Sequence, residues 1–235
     1  MLLGVENINT FYGLSHVLQG VSLEVDNKEI VTLVGRNGAG KTTTLKSIMG
    51  ITPVRSGCIK FEGSEISALP THLIVQRKIA YVPEERRIIP GLTVRENLKL
   101  ALLKSENRDR EQEMIDRVAH YFPVLKGRLK QEGTSLSGGE QQMLAIARAM
   151  VTSPEIMLID EPTEGLMPML IEIIAEIIQT INQSGVAVLL VEQNTEMALS
   201  ISHRAYVIDE GRIQSTGQAK DILADEEIQR RYLTV

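Results

Sequence analysis

A glycine-rich loop that ends in a lysine and a hydroxyl residue lies near the start of the chain. Residues 35–42 read Gly-Arg-Asn-Gly-Ala-Gly-Lys-Thr, which is the spacing of a phosphate-binding loop. The apolar run 29–34 precedes it, and a helix is predicted from Gly40 to Met49. Glycines let the backbone point its N–H groups at phosphate oxygens, and the start of the helix adds a partial positive charge. The pattern therefore predicts a site for nucleotide phosphates.

All residues of this loop, and Thr43 directly after it, are candidates for nucleotide binding. They are Gly35, Arg36, Asn37, Gly38, Ala39, Gly40, Lys41, Thr42 and Thr43. Lys41 offers positive charge to the β- and γ-phosphates and is also a candidate catalytic residue, while the Thr42 hydroxyl is suited to Mg²⁺. A glycine-rich turn without a ligand is the alternative, and the flanking strand and helix disfavour it.

Two adjacent carboxylates follow a second apolar strand. Ile156–Asp160 reads Ile-Met-Leu-Ile-Asp, and Glu161 comes next. Carboxylate and hydroxyl oxygens suit a hard dication, so Asp160 is predicted to hold Mg²⁺ through water. Glu161 is the candidate general base that would polarise the attacking water. The alternative is an acidic pair at a strand end that only faces solvent.

A second possible anion site lies at residues 136–140, which read Leu-Ser-Gly-Gly-Glu. Ser137 is predicted to cap a helix that ends near Val151, with Glu140 in the third helical position. A serine hydroxyl and free N–H groups at a helix start can bind an anion, so Ser137, Gly138 and Gly139 are candidates. The alternative is a helix cap with no further role.

The surrounding pattern predicts an α/β fold. Early β-rich segments cover residues 2–11, 17–25, 58–61 and 79–82, whereas helical periodicity dominates residues 93–152, including a capping box from Thr93 to Glu96 and a helix at 108–121. Strands at 156–160, 186–191 and 205–209 then alternate with helices at 168–182 and 195–202. Apolar strands that alternate with helices predict a parallel sheet covered on both faces.

Composition narrows the classes of function. The 235 residues are 43% hydrophobic and 23% charged, as in an ordinary globular protein, and the net charge of −5 gives no basic field for nucleic acid. The single cysteine, Cys58, cannot form an internal disulfide or a zinc site of the usual spacing. No signal peptide is recognised, and no apolar run reaches the ~20 residues of a membrane helix.

The order and spacing of the glycine-rich loop, the Ser-Gly-Gly run and the Asp-Glu pair resemble the ATP-binding subunit of an ABC transporter. This resemblance implies a P-loop NTPase (RecA-like) core with a parallel sheet, an N-terminal antiparallel β subdomain and an inserted helical subdomain. The expected core with its β subdomain comprises residues 1–84 and 153–235, and the helical signature subdomain comprises residues 85–152.

The same resemblance implies ATP and Mg²⁺ as ligands and a second subunit. Tyr12 stands where the family stacks an aromatic ring on adenine, the alternative being a surface tyrosine in a turn. In the family, residues matching Ser137, Gly138 and Gly139 bind the γ-phosphate held by the other subunit. Two head-to-tail subunits would thus bury two ATP molecules.

Three positions depart from the commonest residues of the family. Glu84 replaces a glutamine and is taken as a third candidate for the metal site. Gln193 replaces a histidine that touches the γ-phosphate; an amide can donate a hydrogen bond there but cannot shuttle a proton. Gln193 is therefore a candidate catalytic residue of altered chemistry. Met167 replaces an aspartate at the end of the loop after Glu161.

Together with the motifs around them, these departures resemble the shorter ATPase of high-affinity branched-chain amino-acid importers. The motifs lie at residues 81–87, 92–98, 137–149 and 191–194. The ATPase of a urea or short-amide importer is the alternative; a non-transport ABC ATPase is less compatible, because no long coiled-coil insertion or second cassette is present. The expected partners are a second ATPase subunit, identical or related, a transmembrane permease and, indirectly, a substrate-binding protein outside the membrane. Residues 84–97 are expected to contact the permease, the alternative being a charged surface loop. Nucleic acid is not an expected partner. The expected location is cytoplasmic, peripheral on the inner face of the cell membrane.

Overall fold

The computed structural model describes residues 1–103 and 108–233. Its strands are β1 (Leu3–Tyr12), β2 (Ser15–Val25), β3 (Ile30–Val34), β4 (Val54–Phe61), β5 (Ser64–Glu65), β6 (Ile79–Val82), β7 (Ile156–Asp160), β8 (Ala187–Glu192), β9 (Arg204–Asp209) and β10 (Arg212–Gln218). Its helices are α1 (Lys41–Ile48), α2 (Thr71–Gln76), α3 (Val94–Leu102), α4 (Glu111–Tyr121), α5 (Pro123–Lys126), α6 (Gly138–Met150), α7 (Pro168–Gln183), α8 (Thr195–Ile201), α9 (Ala219–Ala224) and α10 (Glu226–Ile228).

The larger sheet has the strand order β10-β9-β3-β8-β7-β6. Its strands from β9 to β6 pair in parallel, whereas β10 pairs antiparallel with β9. The predicted parallel sheet is confirmed for the five strands from β9 to β6, and β10 adds an antiparallel edge. The edge arises from a two-residue turn in which Glu210 and Gly211 both have positive φ (45° and 75°), the backbone that a tight hairpin requires.

Both faces of the larger sheet are covered, as the continuous apolar strands predict. Along β3, Val31 and Leu33 pack into a core shared with the N-terminal strands and α1, whereas Ile30 and Val34 pack into a core shared with helices α3, α4, α6, α7 and α8. The carboxyl ends of β3, β7 and β8 consequently lie side by side, and the loops that follow them meet at one edge.

The smaller sheet is antiparallel, with the order β2-β1-β4-β5. Strand β4 begins at Val54, four residues before the predicted start at Cys58. Gly57 explains the difference: its φ is 96°, and a Cβ there would lie 2.5 Å from the carbonyl oxygen of Asn7. The strand therefore continues through an irregular pairing with β1 that only glycine permits.

Helices α3 to α6 lie between β6 and β7 in the sequence. The predicted helix at 108–121 begins with a single tight turn at Arg108–Arg110 and continues as α4. Across the two described ranges, no helix combines the length and the apolar character needed to cross a membrane.

Candidate functional site

The glycine-rich loop encloses the ammonium group of Lys41. Lys41 Nζ donates hydrogen bonds to the carbonyl oxygens of Gly35 (2.8 Å) and Arg36 (3.2 Å), and its side chain is 4% exposed. Gly40 has φ of 109°, and a Cβ there would lie 2.8 Å from a methyl group of Leu18. The loop is thus a tight turn around a cation, directly before α1.

Asp160 is fixed by two hydroxyl groups from neighbouring elements. Thr42 Oγ1 donates to Asp160 Oδ1 and Tyr81 Oη donates to Asp160 Oδ2, each at 2.9 Å. Burial raises the pKa of Asp160, while the hydrogen bonds from Thr42 and Tyr81 oppose the shift. The sequence does not single out Tyr81, because its role arises from the pairing of β6 with β7.

Glu161 follows Asp160 in a left-handed backbone conformation with φ of 42°. Its N–H donates to the carbonyl oxygen of Val191 at 2.8 Å, which ties this loop to the end of β8. A carboxylate oxygen of Glu161 lies 3.2 Å from Lys41 Nζ, and the Glu161 side chain is 10% exposed. The candidate base therefore faces the phosphate loop.

A cleft of about 420 Å³ joins most of the predicted site residues. It is lined by Tyr12, Val17, Asn37, Gly38, Gly40, Lys41, Thr42, Thr43, Glu84, Glu161 and Glu164. Tyr12 is half-exposed, and its hydroxyl lies 3.1 Å from Thr52 Oγ1. The cleft thus has a phenol ring, a cationic loop and three carboxylates on its walls.

Glu84 shares a hydrogen bond with Glu164 within this cleft. That hydrogen bond, partial burial, and the negative charges of Glu164, Glu161 and Asp160 raise the pKa of Glu84 to about 7. Because the pKa of Glu84 is raised, this wall of the cleft carries less negative charge near and below pH 7 than its residue types suggest. The sequence does not single out Glu164.

Gln193 stands apart from the cleft-lining residues. It follows β8 and is exposed, and its backbone carbonyl oxygen accepts a hydrogen bond from Thr195 Oγ1. The residue before it, Glu192, is buried at 2% exposure and accepts hydrogen bonds from Thr163 and Asn194. The sequence does not predict that Glu192 is buried, because a glutamate at the end of an apolar strand is typical of an exposed strand end.

The Ser-Gly-Gly run forms the start of α6. The predicted capping box is confirmed: the Ser137 hydroxyl accepts from the Glu140 N–H, and the Glu140 carboxylate accepts from the Ser137 N–H at 2.9 Å. Gly139 packs against Leu170, where a Cβ would lie 2.6 Å from a methyl carbon. Ser137, Gly138 and Gly139 do not line the 420 Å³ cleft, so one chain keeps its two predicted anion sites separate.

Arg86 connects this helix start to the loop after Glu161. Its Nε donates to Gln142 Oε1 (3.2 Å) and its Nη2 donates to the carbonyl oxygen of Glu164 (3.4 Å). A Cβ on Gly138 would lie 3.0 Å from Arg86 Nη1, so the guanidinium also lies against the Ser-Gly-Gly backbone. Arg86 and Arg87 both have positive φ, at 56° and 47°.

The oxygens at the phosphate loop fit a magnesium ion. The Thr42 hydroxyl and the Asp160 carboxylate are hard oxygen donors held 2.9 Å apart beside Lys41. Within the described ranges, no group of three or more His, Cys, Asp or Glu residues could hold a metal. Magnesium needs no such group, because one or two protein oxygens with water and substrate phosphates suffice.

Comparison with known proteins places this site in a family. Residues 18–164 match the ABC transporter family. The chain is 43% identical to the high-affinity branched-chain amino acid transport ATP-binding protein BraG of Pseudomonas aeruginosa, over 99% of each chain. It is 37% identical to the lipopolysaccharide export system ATP-binding protein LptB of Haemophilus influenzae, over 99% of this chain and 97% of that protein.

A solved structure of an ATP-binding cassette, a dimer in a post-hydrolysis state bound to ADP and phosphate, is also similar. Its TM-score is 0.79 at 26% identity, covering 93% of this chain and 99% of that one. The chain therefore belongs to the ABC transporter family. It is an ATPase of the kind whose ATP hydrolysis drives transmembrane transport, and the resemblance seen in the motifs is confirmed.

Proposed function

We propose that this chain is the ATP-binding and ATP-hydrolysing subunit of a high-affinity importer for branched-chain amino acids. The observation that carries the proposal is the 43% identity to BraG over 99% of both chains, compared with 37% to LptB. The run Val-Glu-Gln-Asn at residues 191–194, with glutamine in place of the usual histidine, supports the same assignment.

The phosphate loop binds ATP in this proposal. Lys41 is already oriented by two loop carbonyls, so it needs little reorganisation to place its charge against the β- and γ-phosphates. Tyr12, on the wall of the same cleft, would stack on the adenine ring. Magnesium, when bound, offsets phosphate charge; Thr42 and Asp160 would hold it, with Glu84 contributing an oxygen from the same cleft.

Glu161 is the general base in this mechanism. Its carboxylate lies in the cleft beside Lys41, and it accepts the proton of the attacking water. Gln193 positions the γ-phosphate side of the site by donating an amide hydrogen bond, because an amide cannot relay the proton itself. Glu161 therefore carries the acid–base chemistry alone.

A second ATPase subunit, identical or related, completes the site. Ser137, Gly138 and Gly139 offer a capped helix start that does not line the cleft of their own chain. In a head-to-tail pair, this helix start of one subunit would contact the γ-phosphate held by the loop of the other. The dimeric relative bound to ADP and phosphate supports such a pair.

The permease is the proposed membrane partner. A second cleft, of about 510 Å³, is lined by Glu84, Glu85, Arg86, Arg87, Ile88, Thr134, Gln141 and Glu164. It lies where residues 85–152, proposed as the helical subdomain, meet the core formed by residues 1–84 and 153–235. A short permease helix in this cleft would hold the chain on the inner face of the membrane, and a substrate-binding protein would contact the assembly only through the permease.

Transport measurements in a strain that lacks the gene test the cargo. Uptake of radiolabelled leucine should fall and should return with the wild-type gene but not with Glu161→Gln. Loss of urea uptake with normal leucine uptake would favour the short-amide importer instead. Unchanged uptake of both solutes, with defective lipopolysaccharide export, would assign the chain to the role of LptB.

A further inference from the structure

A buried carboxylate lies at the end of β8, outside the roles assigned so far. Glu192 is 2% exposed, and the other residues of β8 are apolar and buried. Burial raises the pKa of Glu192, while hydrogen bonds from Thr163 and Asn194 oppose the shift. A carboxyl group in such surroundings is costly unless its oxygens find donors.

The two oxygens of Glu192 bind two different loops. Oε1 accepts from the N–H and the hydroxyl of Thr163, at 2.9 and 2.7 Å. Oε2 accepts from the N–H of Asn194 at 3.1 Å. Thr163 is two residues after Glu161, and Asn194 is the residue after Gln193. One side chain therefore bridges the loop of the candidate base and the loop of the candidate amide.

The bridge needs a carboxylate rather than an amide. All three partners of Glu192 are donors, and a carboxylate is an acceptor at both oxygens. A glutamine would keep one acceptor oxygen and place its NH₂ group against a donor. Since the Glu161 N–H already bonds to Val191, the end of β8 holds the Glu161 loop at two successive residues.

We propose that Glu192 is a positioning residue for ATP hydrolysis, fixing the loop after Glu161 with one oxygen and the loop of Gln193 with the other. It sets the separation of these two loops and does not itself contact the nucleotide. The proposal rests on the roles proposed above for Glu161 and Gln193. A displaced base or hydrogen-bond donor costs catalysis far more than binding, because the phosphate loop that holds ATP is untouched.

The test uses three single variants of the full-length chain. In Glu192→Gln, the remaining amide oxygen can still accept from Thr163, but the N–H of Asn194 loses its acceptor. Thr163→Val removes only the hydroxyl group that donates to Glu192. Thr32→Val is the matched control, because Thr32 is also buried and its hydroxyl donates to a strand carbonyl, that of Leu190 at 3.1 Å, and not to Glu192. Measurements are kcat, KM, affinity for a fluorescent ATP analogue, melting temperature and amide hydrogen exchange without nucleotide.

Glu192→Gln should lower kcat about 10- to 100-fold with KM and analogue affinity changed by less than about threefold. Amide exchange should accelerate in the segment containing Asn194, and Thr163→Val should accelerate exchange in the segment containing Thr163. The double variant Glu192→Gln/Thr163→Val should lose less activity than the product of the two single losses, because both substitutions affect the same bridge. Thr32→Val should lower the melting temperature with kcat preserved.

The proposal would be overturned if Glu192→Gln kept the kcat and the amide exchange of the wild type. It would also be overturned if Glu192→Gln and Thr32→Val lost equal stability and Glu192→Gln lost no more kcat than Thr32→Val. If Glu192→Gln does not fold, unchanged kcat and exchange in Thr163→Val overturn it. If the wild type hydrolyses no ATP, the proposed function fails separately, and hydrogen exchange at the two loops still decides whether the bridge positions them.

Discussion

Lys41 Nζ lies 3.2 Å from a carboxylate oxygen of Glu161, and the two side chains are only 4% and 10% exposed. The cation that is proposed to bind phosphate and the carboxylate that is proposed to activate water are thus each other's counter-ions. Phosphate and Glu161 compete for Lys41. A substitution of Glu161 should therefore affect ATP binding and ATP hydrolysis differently.

Glu161→Gln should bind ATP at least as tightly as the wild type, because a neutral amide competes less for Lys41. Its turnover should fall about 100-fold or more, since general base catalysis contributes about 10²–10⁴-fold. Steady-state hydrolysis, equilibrium ATP binding and gel filtration in ATP-Mg²⁺ measure these effects, with a stable dimer expected. Glu85→Gln is the control, as it removes an exposed carboxylate that is adjacent to Glu84 but does not line the cleft, and its turnover should stay near that of the wild type. Near wild-type turnover in Glu161→Gln would remove Glu161 from the role of base.

Glu84 should make the stability of the chain depend on pH near neutrality. Its pKa is raised to about 7 in the folded chain, above the ordinary glutamate value, mainly by the hydrogen bond to Glu164. The stabilisation from the protonated pair is therefore fully present below the unfolded pKa and is lost as pH rises through about 7. Melting temperatures across this range should fall more for the wild type than for Glu84→Gln, whose amide donates to Glu164 at every pH.

The control for this pH effect is Glu85→Gln. Glu85 pairs with Arg87 at 3.5 Å and leaves the Glu84–Glu164 pair intact. Its melting temperature should follow the wild-type dependence on pH. If Glu84→Gln and the wild type show parallel curves, protonation of Glu84 does not stabilise the fold.

Gln193→His restores the commonest residue of the family and should leave turnover within about 10-fold of the wild type. An imidazole can donate a hydrogen bond as the amide does, and it adds a titration near its ordinary pKa of about 6.5. Gln193→Ala, which removes the donor, should be the slower variant. ATP hydrolysis and ATP binding are measured for both. Lost turnover with normal binding in Gln193→His would show that the amide has a role that imidazole cannot fill.

Arg86→Ala should weaken communication between the Ser-Gly-Gly helix and the Glu161 loop. The substitution removes the hydrogen bonds to Gln142 and to the Glu164 carbonyl. We expect kcat/KM to fall about 10-fold, which corresponds to about 1.4 kcal/mol. ATP binding to the single subunit should stay unchanged. Turnover, ATP binding and ATP-dependent dimerisation are the readouts.

Arg87→Ala is the matched control for Arg86→Ala, since both residues have positive φ and meet the same backbone cost. The Arg87 side chain is exposed and pairs with Glu85 at 3.5 Å. Equal losses in both variants would mean that the backbone of this loop, and not the Arg86 guanidinium, is responsible.

The parts of the site that the sequence predicts are those that lie close together along the chain. Lys41 and Thr42 share one loop, Asp160 and Glu161 share one strand end, and the Ser137 cap needs only Glu140 three residues later. Local geometry is enough to assign each of them, and the same holds for the strand–helix alternation that predicts the α/β class.

The residues that the sequence does not reveal act across the sheet. Tyr81 meets Asp160 because β6 pairs with β7, and Glu192 meets Thr163 because β8 pairs with β7. Their contacts depend on strand order, which no local pattern encodes. The β9–β10 hairpin is missed for another reason: its turn uses Glu210 before Gly211, where asparagine or aspartate would have been the recognisable signal.

Lys41 Nζ donates hydrogen bonds to the carbonyls of Gly35 and Arg36 and forms an ion pair with the carboxylate of Glu161. An incoming anion therefore competes for this lysine with two carbonyls and one carboxylate of the chain itself. A sulfate or a single phosphate ion offers little in exchange, whereas a triphosphate also engages the backbone N–H groups of the loop. We expect the chain to discriminate against small inorganic anions, because its own oxygens already contact this lysine.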